Sequence, residues 1–181
     1  MRSTFSKLFL IAGMAWLSTA LLPAAEAPAK FSVSEFSFTR PPKWEWIEVS
    51  SPMRKAQLRV PDEASKTGAE VVFFHFGQGA GGGTRDNVER WFRQFQEPRD
   101  KINAKTEETT IGKTKVTYVH AEGTYLSGLP GQQQTPMKNY ALMGGIIEGK
   151  EGSVFIRMTG PTEVVKGAQA DFKKMVESAL K

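Results

Sequence analysis

Two pairs of segments that alternate apolar and polar residues, each joined by a short turn, constrain the fold of this chain most strongly. Residues 105–110 and 114–125 flank a turn around Gly112, and residues 140–147 and 153–159 flank a second turn that is rich in glycine and charge. Strands joined by connections of hairpin length pair antiparallel, because a parallel pair needs a long crossover. The sequence therefore predicts an antiparallel sheet.

Further strand signals come before these hairpins, and two apolar stripes have helical spacing. Short runs at 36–38, 44–49, 56–60 and 71–76 read as strands, and the last of them is apolar on both faces, as in a central strand. The helical stripes are Val88, Trp91, Phe92 and Phe95, and then Val164, Val165, Ala168, Phe172, Met175, Val176 and Ala179. Because amphipathic helices must cover a sheet, the predicted fold class is α/β of the α+β type: an antiparallel sheet packed by two amphipathic helices.

The N-terminal residues have the order of a secretory signal peptide. Arg2 and Lys7 provide a positive start, Leu8–Leu22 is almost wholly apolar, and small residues follow. The apolar run is short for a membrane span, which needs roughly 20 residues. We expect residues 1–25 to be a signal peptide that is cleaved after Ala25 or Ala27, with an uncleaved membrane anchor as the alternative.

The composition agrees with one exported globular domain. A chain of 181 residues fits a single domain, which we place at 36–181 after a short lead segment, 26–35. The absence of cysteine excludes a lipoprotein anchor, disulfides and thiolate metal sites, and suits a periplasmic or secreted location. The net charge of +5 falls to +3 when Arg2 and Lys7 are removed, and the remaining charges are scattered. We therefore expect no nucleic-acid partner, and no stable membrane span after signal removal.

A glycine-rich segment, residues 77–83, stands between a predicted strand and a predicted helix. Its first six residues match G-x-G-x-x-G, which in that context is typical of dinucleotide binding. An antiparallel hairpin follows, however, where a dinucleotide fold needs a parallel strand, so we predict no cofactor. Backbone N–H groups at a helix start can still hold an anion or carboxylate. The predicted ligand-binding residues are Gly79, Gly81, Gly82, Gly83 and Thr84, with Thr84 as the helix cap; a flexible connection is the alternative.

His120 and Glu122 are two residues apart on a strand and so share a face. His75 is the other of the two histidines, which makes His75, His120 and Glu122 the richest metal set that the chain offers. No H-E-x-x-H or G-x-S-x-G motif accompanies them. We predict no metal and no catalytic residue, and a hydrolase or metal-dependent enzyme using His75 or His120 is the alternative.

Trp44 and Trp46 also share a strand face. Exposed, they would form a platform for a sugar or a partner protein, since aromatic side chains dominate such contacts. Buried, they would fill the core, which we expect for at least one of them. Residues 126–139 are rich in Gly, Pro and Gln and predict a long loop, which is the second candidate contact region.

Several segments resemble a set of uncharacterised exported bacterial proteins, and the order of elements resembles the Mog1/PsbP-like superfold. The segments are 51–54, 76–83, 87–91, 123–125, 140–144 and 158–161. The resemblance implies an antiparallel sheet packed by helices and brings no catalytic residue with it. PsbP relatives are accessory and assembly factors, so it favours an exported, non-catalytic binding or accessory protein of the cell envelope, whose partner is an envelope protein or a small ligand. A purely structural component is the remaining alternative.

Overall fold

The computed structural model describes residues 27–49, 51–64, 67–128 and 132–181. The predicted signal peptide, residues 1–25, lies outside the described residues. Within the described ranges no helix has the length and apolar character that crossing a bilayer requires.

Nine strands and two α-helices form the described part of the chain. In chain order they are β1 (Lys30–Val33), β2 (Phe36–Thr39), β3 (Glu45–Trp46), β4 (Arg54–Val60), β5 (Ala69–His75), α1 (Thr84–Phe92), β6 (Lys105–Ile111), β7 (Thr114–Ser127), β8 (Thr135–Ile147), β9 (Val154–Pro161) and α2 (Thr162–Ser178). Strands β1 and β2 form a separate hairpin, and the other strands form one antiparallel sheet in the order β3-β4-β5-β9-β8-β7-β6. This confirms the predicted fold class.

The sheet carries an apolar core on each face, because neighbouring strand residues point to opposite sides. On the face that we call the α2 face, Met143 packs with Phe172 of α2 and with the β1–β2 hairpin. On the opposite face, the α1 face, Leu142 packs with Trp91 of α1. Strand β5 is buried on both sides, as its apolar run predicts.

Helix α1 covers only part of its face. Its core cluster draws mainly on residues of β7, β8 and β9, whereas the same face of β3 and β4 carries ion pairs. Arg54 pairs with Glu70 of β5 at 2.6 Å, and Arg59 pairs with Glu45 at 2.8 Å. The covered and open halves meet near β5 and β9, beside α1, and the border between them forms a groove.

Two expectations about loops are wrong. Lys30–Val33, inside the expected lead segment 26–35, is a strand that pairs with β2, and Phe31 and Val33 reach the core. Among the described residues of the expected loop 126–139, residues 126–127 and 135–139 are strand, and Leu126 pairs with Pro136 in a long β7–β8 hairpin. The outer end of this hairpin, residues 126–127 and 135–139, is mostly solvent-exposed. Polar residues are tolerated there, and the composition of the segment therefore resembles that of a loop.

Candidate functional site

The glycine-rich segment forms the connection from β5 to α1. Gly77, Gly79, Gly81 and Gly82 all have positive φ, which L side chains rarely adopt. A Cβ on Gly81 would also lie 2.9 Å from Cδ2 of Phe76 and 3.0 Å from Cε2 of Phe155, whereas a Cβ on Gly79 would meet open space. Gly81 therefore allows the loop to pack on two aromatic rings, and Gly79 serves the turn alone.

The start of α1 differs from the expected cap. Gly83 is the N-cap residue, and Thr84 is the first helical residue, whose hydroxyl donates to Oε1 of Glu148 at 3.0 Å. Asp86 stands in the first turn. The carboxylates of Glu148 and Asp86 offset the attraction of the helix dipole for a further anion. The anion site at Gly79, Gly81, Gly82, Gly83 and Thr84 stays a prediction.

Asn87 ties the glycine loop to the helix. Its side chain is buried, with 1 % exposure, and Nδ2 donates to the carbonyl oxygens of Gly81 at 2.8 Å and Gly83 at 2.9 Å. Arg90 donates to Oδ1 of the same side chain. The sequence offered only a weak signal for this role, an asparagine in the first turn after a glycine run.

A groove lies between the end of the glycine loop, α1 and strands β5 and β9. We call it the aromatic–arginine groove; it has a volume of about 110 Å³. Phe76 is 42 % exposed at its mouth. The strands contribute their α1-face residues and the helix contributes one stripe, so that the lining is Phe74, Phe76, Arg90, Trp91, Gln94, Phe155 and Arg157.

The two arginines of the groove have no acidic partner among the described residues. Nη1 of Arg157 donates to Oε1 of Gln94 at 3.1 Å, and its buried Nε has no hydrogen-bond partner there. The Arg157 guanidinium lies 5.9 Å from the centre of the Phe74 ring. The ion pairs of the described residues include neither Arg157 nor Arg90.

This arrangement can recognise a carboxylate beside an apolar side chain. Guanidinium groups bind carboxylates through strong, directional hydrogen bonds. Aromatic rings and arginine are also the side chains on which protein interfaces depend most. Sequence reasoning missed the groove, since Arg157 and Phe76 come together only through the pairing of β5 with β9.

The structure does not bring the two histidines together. In the strand register, His75 of β5 is aligned with Val116 of β7, through Val154 of β9 and Ile147 of β8. Val116 lies three strands away from His75 and precedes His120 by four residues. With usual strand spacings the separation is roughly 20 Å. Across the described residues, no three His, Cys, Asp or Glu side chains form a group that could hold a metal ion.

His120 and Glu122 do share a face, with 4.0 Å between Nε2 and Oε2. Burial lowers the pKa of His120, against the opposing effect of Glu122. Hydrogen bonds from Lys166 and Asn103 lower the pKa of Glu122. At neutral pH this pair is therefore a neutral imidazole beside a carboxylate that already has two partners. Nδ1 of His75 lies 3.3 Å from the carbonyl oxygen of Ser153.

The tryptophans do not form an exposed platform. Trp44 is 2 % exposed and belongs to the core on the α2 face. Trp46 is partly buried; its ring centre lies 5.3 Å from that of Phe31, and its Nε1 donates to Glu48 at 2.9 Å. Burial of at least one of them was expected, and Trp44 confirms it.

One solved structure supports the fold, while the sequence comparisons find no match. No model of a protein family matches the chain, and no curated protein matches it significantly. Cyanobacterial PsbP from Synechocystis sp. PCC 6803 superposes with a TM-score of 0.50 at 11 % identity, over 88 % of this chain and 96 % of that one. A Pseudomonas aeruginosa protein of unknown function gives a TM-score of 0.43 at 10 % identity, over 84 % of this chain and 95 % of that one. The chain thus has a PsbP-like fold.

Proposed function

We propose that this chain is an exported, non-catalytic binding or accessory protein of the bacterial cell envelope that recognises a partner protein through the aromatic–arginine groove. The observation that carries the proposal is that Arg157 and Arg90 face aromatic walls with no acidic partner among the described residues. A buried donor without a partner costs free energy, and a carboxylate from a partner would recover it.

The exposed ring of Phe76 supports a protein partner. Its ring centre lies 6.3 Å from that of Phe74 and 6.1 Å from that of Phe155, so a partner side chain would meet an aromatic surface formed by three rings. Met53 is exposed at the same end of the sheet, since the next residue, Arg54, pairs with Phe74. The fitting partner segment has an apolar or aromatic residue next to an acidic residue or to a free C-terminal carboxylate.

Export is supported by the N-terminal sequence. A positive start, an apolar run and small residues at 23–27 follow the order of a secretory signal. We expect the protein recovered from the periplasm or medium to begin after Ala25 or Ala27, which intact-mass measurement checks. A protein that keeps residues 1–25 and stays with the membrane fraction would contradict this and favour an uncleaved anchor.

Peptide binding tests the groove directly. Fluorescein-labelled peptides that end in Glu-Phe or Phe-Glu, and the same peptides with a C-terminal amide and Gln in place of Glu, are titrated with the purified protein by fluorescence anisotropy. We expect only the acidic peptides to bind. Arg157→Gln should weaken binding by about 10- to 100-fold, since a charge-assisted hydrogen bond contributes about 1.5–3 kcal/mol. Phe76→Ser should weaken it by a similar amount for another reason, since it removes the apolar contact of an aromatic side chain, which is worth about 1.5–3 kcal/mol when fully buried.

Arg93→Gln is the matched control, because Arg93 is an exposed arginine that follows α1 and lies outside the groove. It removes the same charge from the same side of the molecule. Equal weakening by Arg93→Gln and Arg157→Gln would show that net charge alone attracts the peptide. Absence of binding by every acidic peptide would refute the groove as a carboxylate site.

A further inference from the structure

Gln94 lines the aromatic–arginine groove just beyond the end of α1. Its Oε1 accepts a hydrogen bond from Nη1 of Arg157 at 3.1 Å, and the hydroxyl of Tyr125 lies 3.4 Å from the same oxygen. Because a guanidinium group has only donors, the atom of the Gln94 amide that faces Arg157 must be the oxygen. Gln94 is therefore an acceptor that orients Arg157.

Main-chain hydrogen bonds hold Gln94 in place. Its N–H donates to the carbonyl oxygen of Trp91 at 3.1 Å, and its own carbonyl oxygen accepts from the N–H of Leu126 on β7 at 2.7 Å. The next residue, Phe95, is buried and forms a β-bridge with Tyr125. A side chain that starts from a backbone fixed in this way can orient a neighbour at little further entropic cost.

Glu70 of β5 is an acidic residue beside the groove. It pairs with Thr159 in the strand register, which makes it the diagonal neighbour of Arg157 on β9. Its Oε1 lies 2.6 Å from Nη1 of Arg54, so its charge is offset within that pair. The ion pairs of the described residues do not include Arg157, which thus keeps a charge that none of them neutralises.

The other groups around Gln94 add no negative charge. Burial raises the pKa of Tyr125, so this hydroxyl stays protonated. Arg90, on the α1 side of the groove, is a second cation and donates to Oδ1 of Asn87. None of the residues that line the groove is acidic.

We propose that Gln94 is the specificity-determining residue of the groove: it orients the Arg157 guanidinium with an uncharged acceptor and so leaves the positive charge for a carboxylate of the partner. The inference rests on the function proposed above, and it adds which residue decides between acidic and neutral partners. A glutamate at this place has nearly the same size and would hold Arg157 at least as firmly, but it would neutralise the guanidinium. One exchange of an amide nitrogen for an oxygen thus separates an acid-binding groove from a satisfied ion pair.

Gln94→Glu tests this role with the same acidic peptides and their amide counterparts, again by fluorescence anisotropy. We expect it to weaken binding of the acidic peptides by at least the 10- to 100-fold expected for loss of the arginine contact, because the new carboxylate occupies Arg157 and repels an acid. The preference for acidic peptides should therefore be lost. Gln96→Glu is the matched control: it makes the same change two residues away, at an exposed position outside the groove lining, and should leave the preference unchanged.

Gln94→Met separates orientation from charge. Methionine has a similar length but offers no strong acceptor, so Arg157 stays charged and loses the hydrogen bond that orients it. We expect the acidic peptides to bind about 2- to 10-fold more weakly, as for the loss of one ordinary hydrogen bond, with the preference for an acid retained. A merely structural residue would instead give the same loss in Gln94→Met and Gln94→Glu.

The pH dependence of thermal unfolding examines the Gln94→Glu protein without any peptide. Arg157 would lower the pKa of the new carboxylate in the folded state below its ordinary value of about 4.3. The added stability is then complete above about pH 4.3 and is lost as the pH falls through the folded value. At pH 7 Gln94→Glu should therefore unfold at a higher temperature than the wild type, and this difference should disappear in Gln94→Glu/Arg157→Gln.

The possible results distinguish this inference from the proposed function. A wild-type protein that binds no acidic peptide would refute the function, and with it the role of Gln94. Wild-type binding together with a preference for acids that survives Gln94→Glu would overturn the role of Gln94 alone. A Gln94→Glu protein that is no more stable than the wild type at pH 7 would show that this side chain does not contact Arg157, and would overturn the role as well.

Discussion

Gly144 of β8 lies directly beneath Trp91 of α1, and its replacement by alanine tests how closely the helix approaches the sheet. A Cβ on Gly144 would lie 2.7 Å from Cε3 of Trp91 and closer still to Cζ3. The φ of Gly144 is not positive, so the backbone itself would accept alanine. Because the Trp91 ring is buried in a close-packed core, it cannot move away without displacing its neighbours.

The adjacent glycine provides the matched control. A Cβ on Gly145 would point to the α2 face and lie 3.4 Å from Cε1 of Phe172, an ordinary contact. Overpacking a core costs about 1–3 kcal/mol, and each kcal/mol lowers the midpoint by about 2–4 °C for a domain of this size. We therefore expect Gly144→Ala to lower the midpoint by about 2–12 °C. Gly145→Ala should keep or raise it, because alanine restricts the unfolded chain by about 0.4–1 kcal/mol.

Urea unfolding followed by circular dichroism at equilibrium measures both free energies, and equal m-values would show that the same surface is exposed. Trp91 also lines the aromatic–arginine groove, so Gly144→Ala should weaken binding of the acidic peptides while Gly145→Ala should not. If Gly144→Ala were as stable as Gly145→Ala, the close approach of α1 to β8 would be refuted.

Three further outcomes follow from the same contacts. Gly81→Ala should destabilise more than Gly79→Ala in urea unfolding, because both residues have positive φ but only Gly81 abuts the ring of Phe76; equal losses would contradict this. Asn87→Ala should cost about 1–3 kcal/mol, through two lost hydrogen bonds at about 0.5–1.5 kcal/mol each, and should speed proteolysis within 77–83. Burial lowers the pKa of His120 below 6.5 in the folded state, so the unfolded chain binds this proton at a higher pH than the folded chain does. The free energy of unfolding should therefore fall as the pH drops below about 6.5. His120→Asn should flatten that part of a pH–stability curve, and an unchanged slope would refute the lowered pKa of His120 as its cause.

The strands and helices that carry a clear period could be predicted from the sequence. Of the seven residues in the predicted stripe of α2, five are buried, namely Val165, Ala168, Phe172, Met175 and Val176, and Val164 and Ala179 are partly buried. The turn around Gly112 predicted the β6–β7 pair, because a short connection leaves antiparallel pairing as the one simple option. Local pattern and tertiary packing agree at these positions, so local information was sufficient.

The sequence-based predictions failed for strands that show no clear apolar period, because solvent exposure or short length determines which residues such strands contain. Strand β1 has four residues and only Phe31 and Val33 point inward, which is too short a period to recognise. The outer part of the β7–β8 hairpin carries Pro136 and polar residues because it extends beyond the packed sheet, where an exposed strand tolerates them. Both elements are held by pairing with a partner strand, and that is a non-local property.

The aromatic–arginine groove was hidden for a related reason: it depends on a group that lacks a partner among the described residues, and such a lack is not visible in a sequence. Arg157 has the pattern of an ordinary polar residue in an alternating strand, but the pairing of β9 with β5 places it beside Phe74, and it forms no ion pair with a described carboxylate. Tyr118 has the pattern of a core aromatic residue, and its ring is buried in the core, but its hydroxyl has no hydrogen-bond partner among the described residues. A glycine run, by contrast, is conspicuous in sequence, yet Gly81 and Asn87 show that much of its composition serves the close packing of the loop. In a chain with two histidines and no cysteine, the proposed groove therefore rests on an unpaired donor at the border of the core and not on a sequence motif.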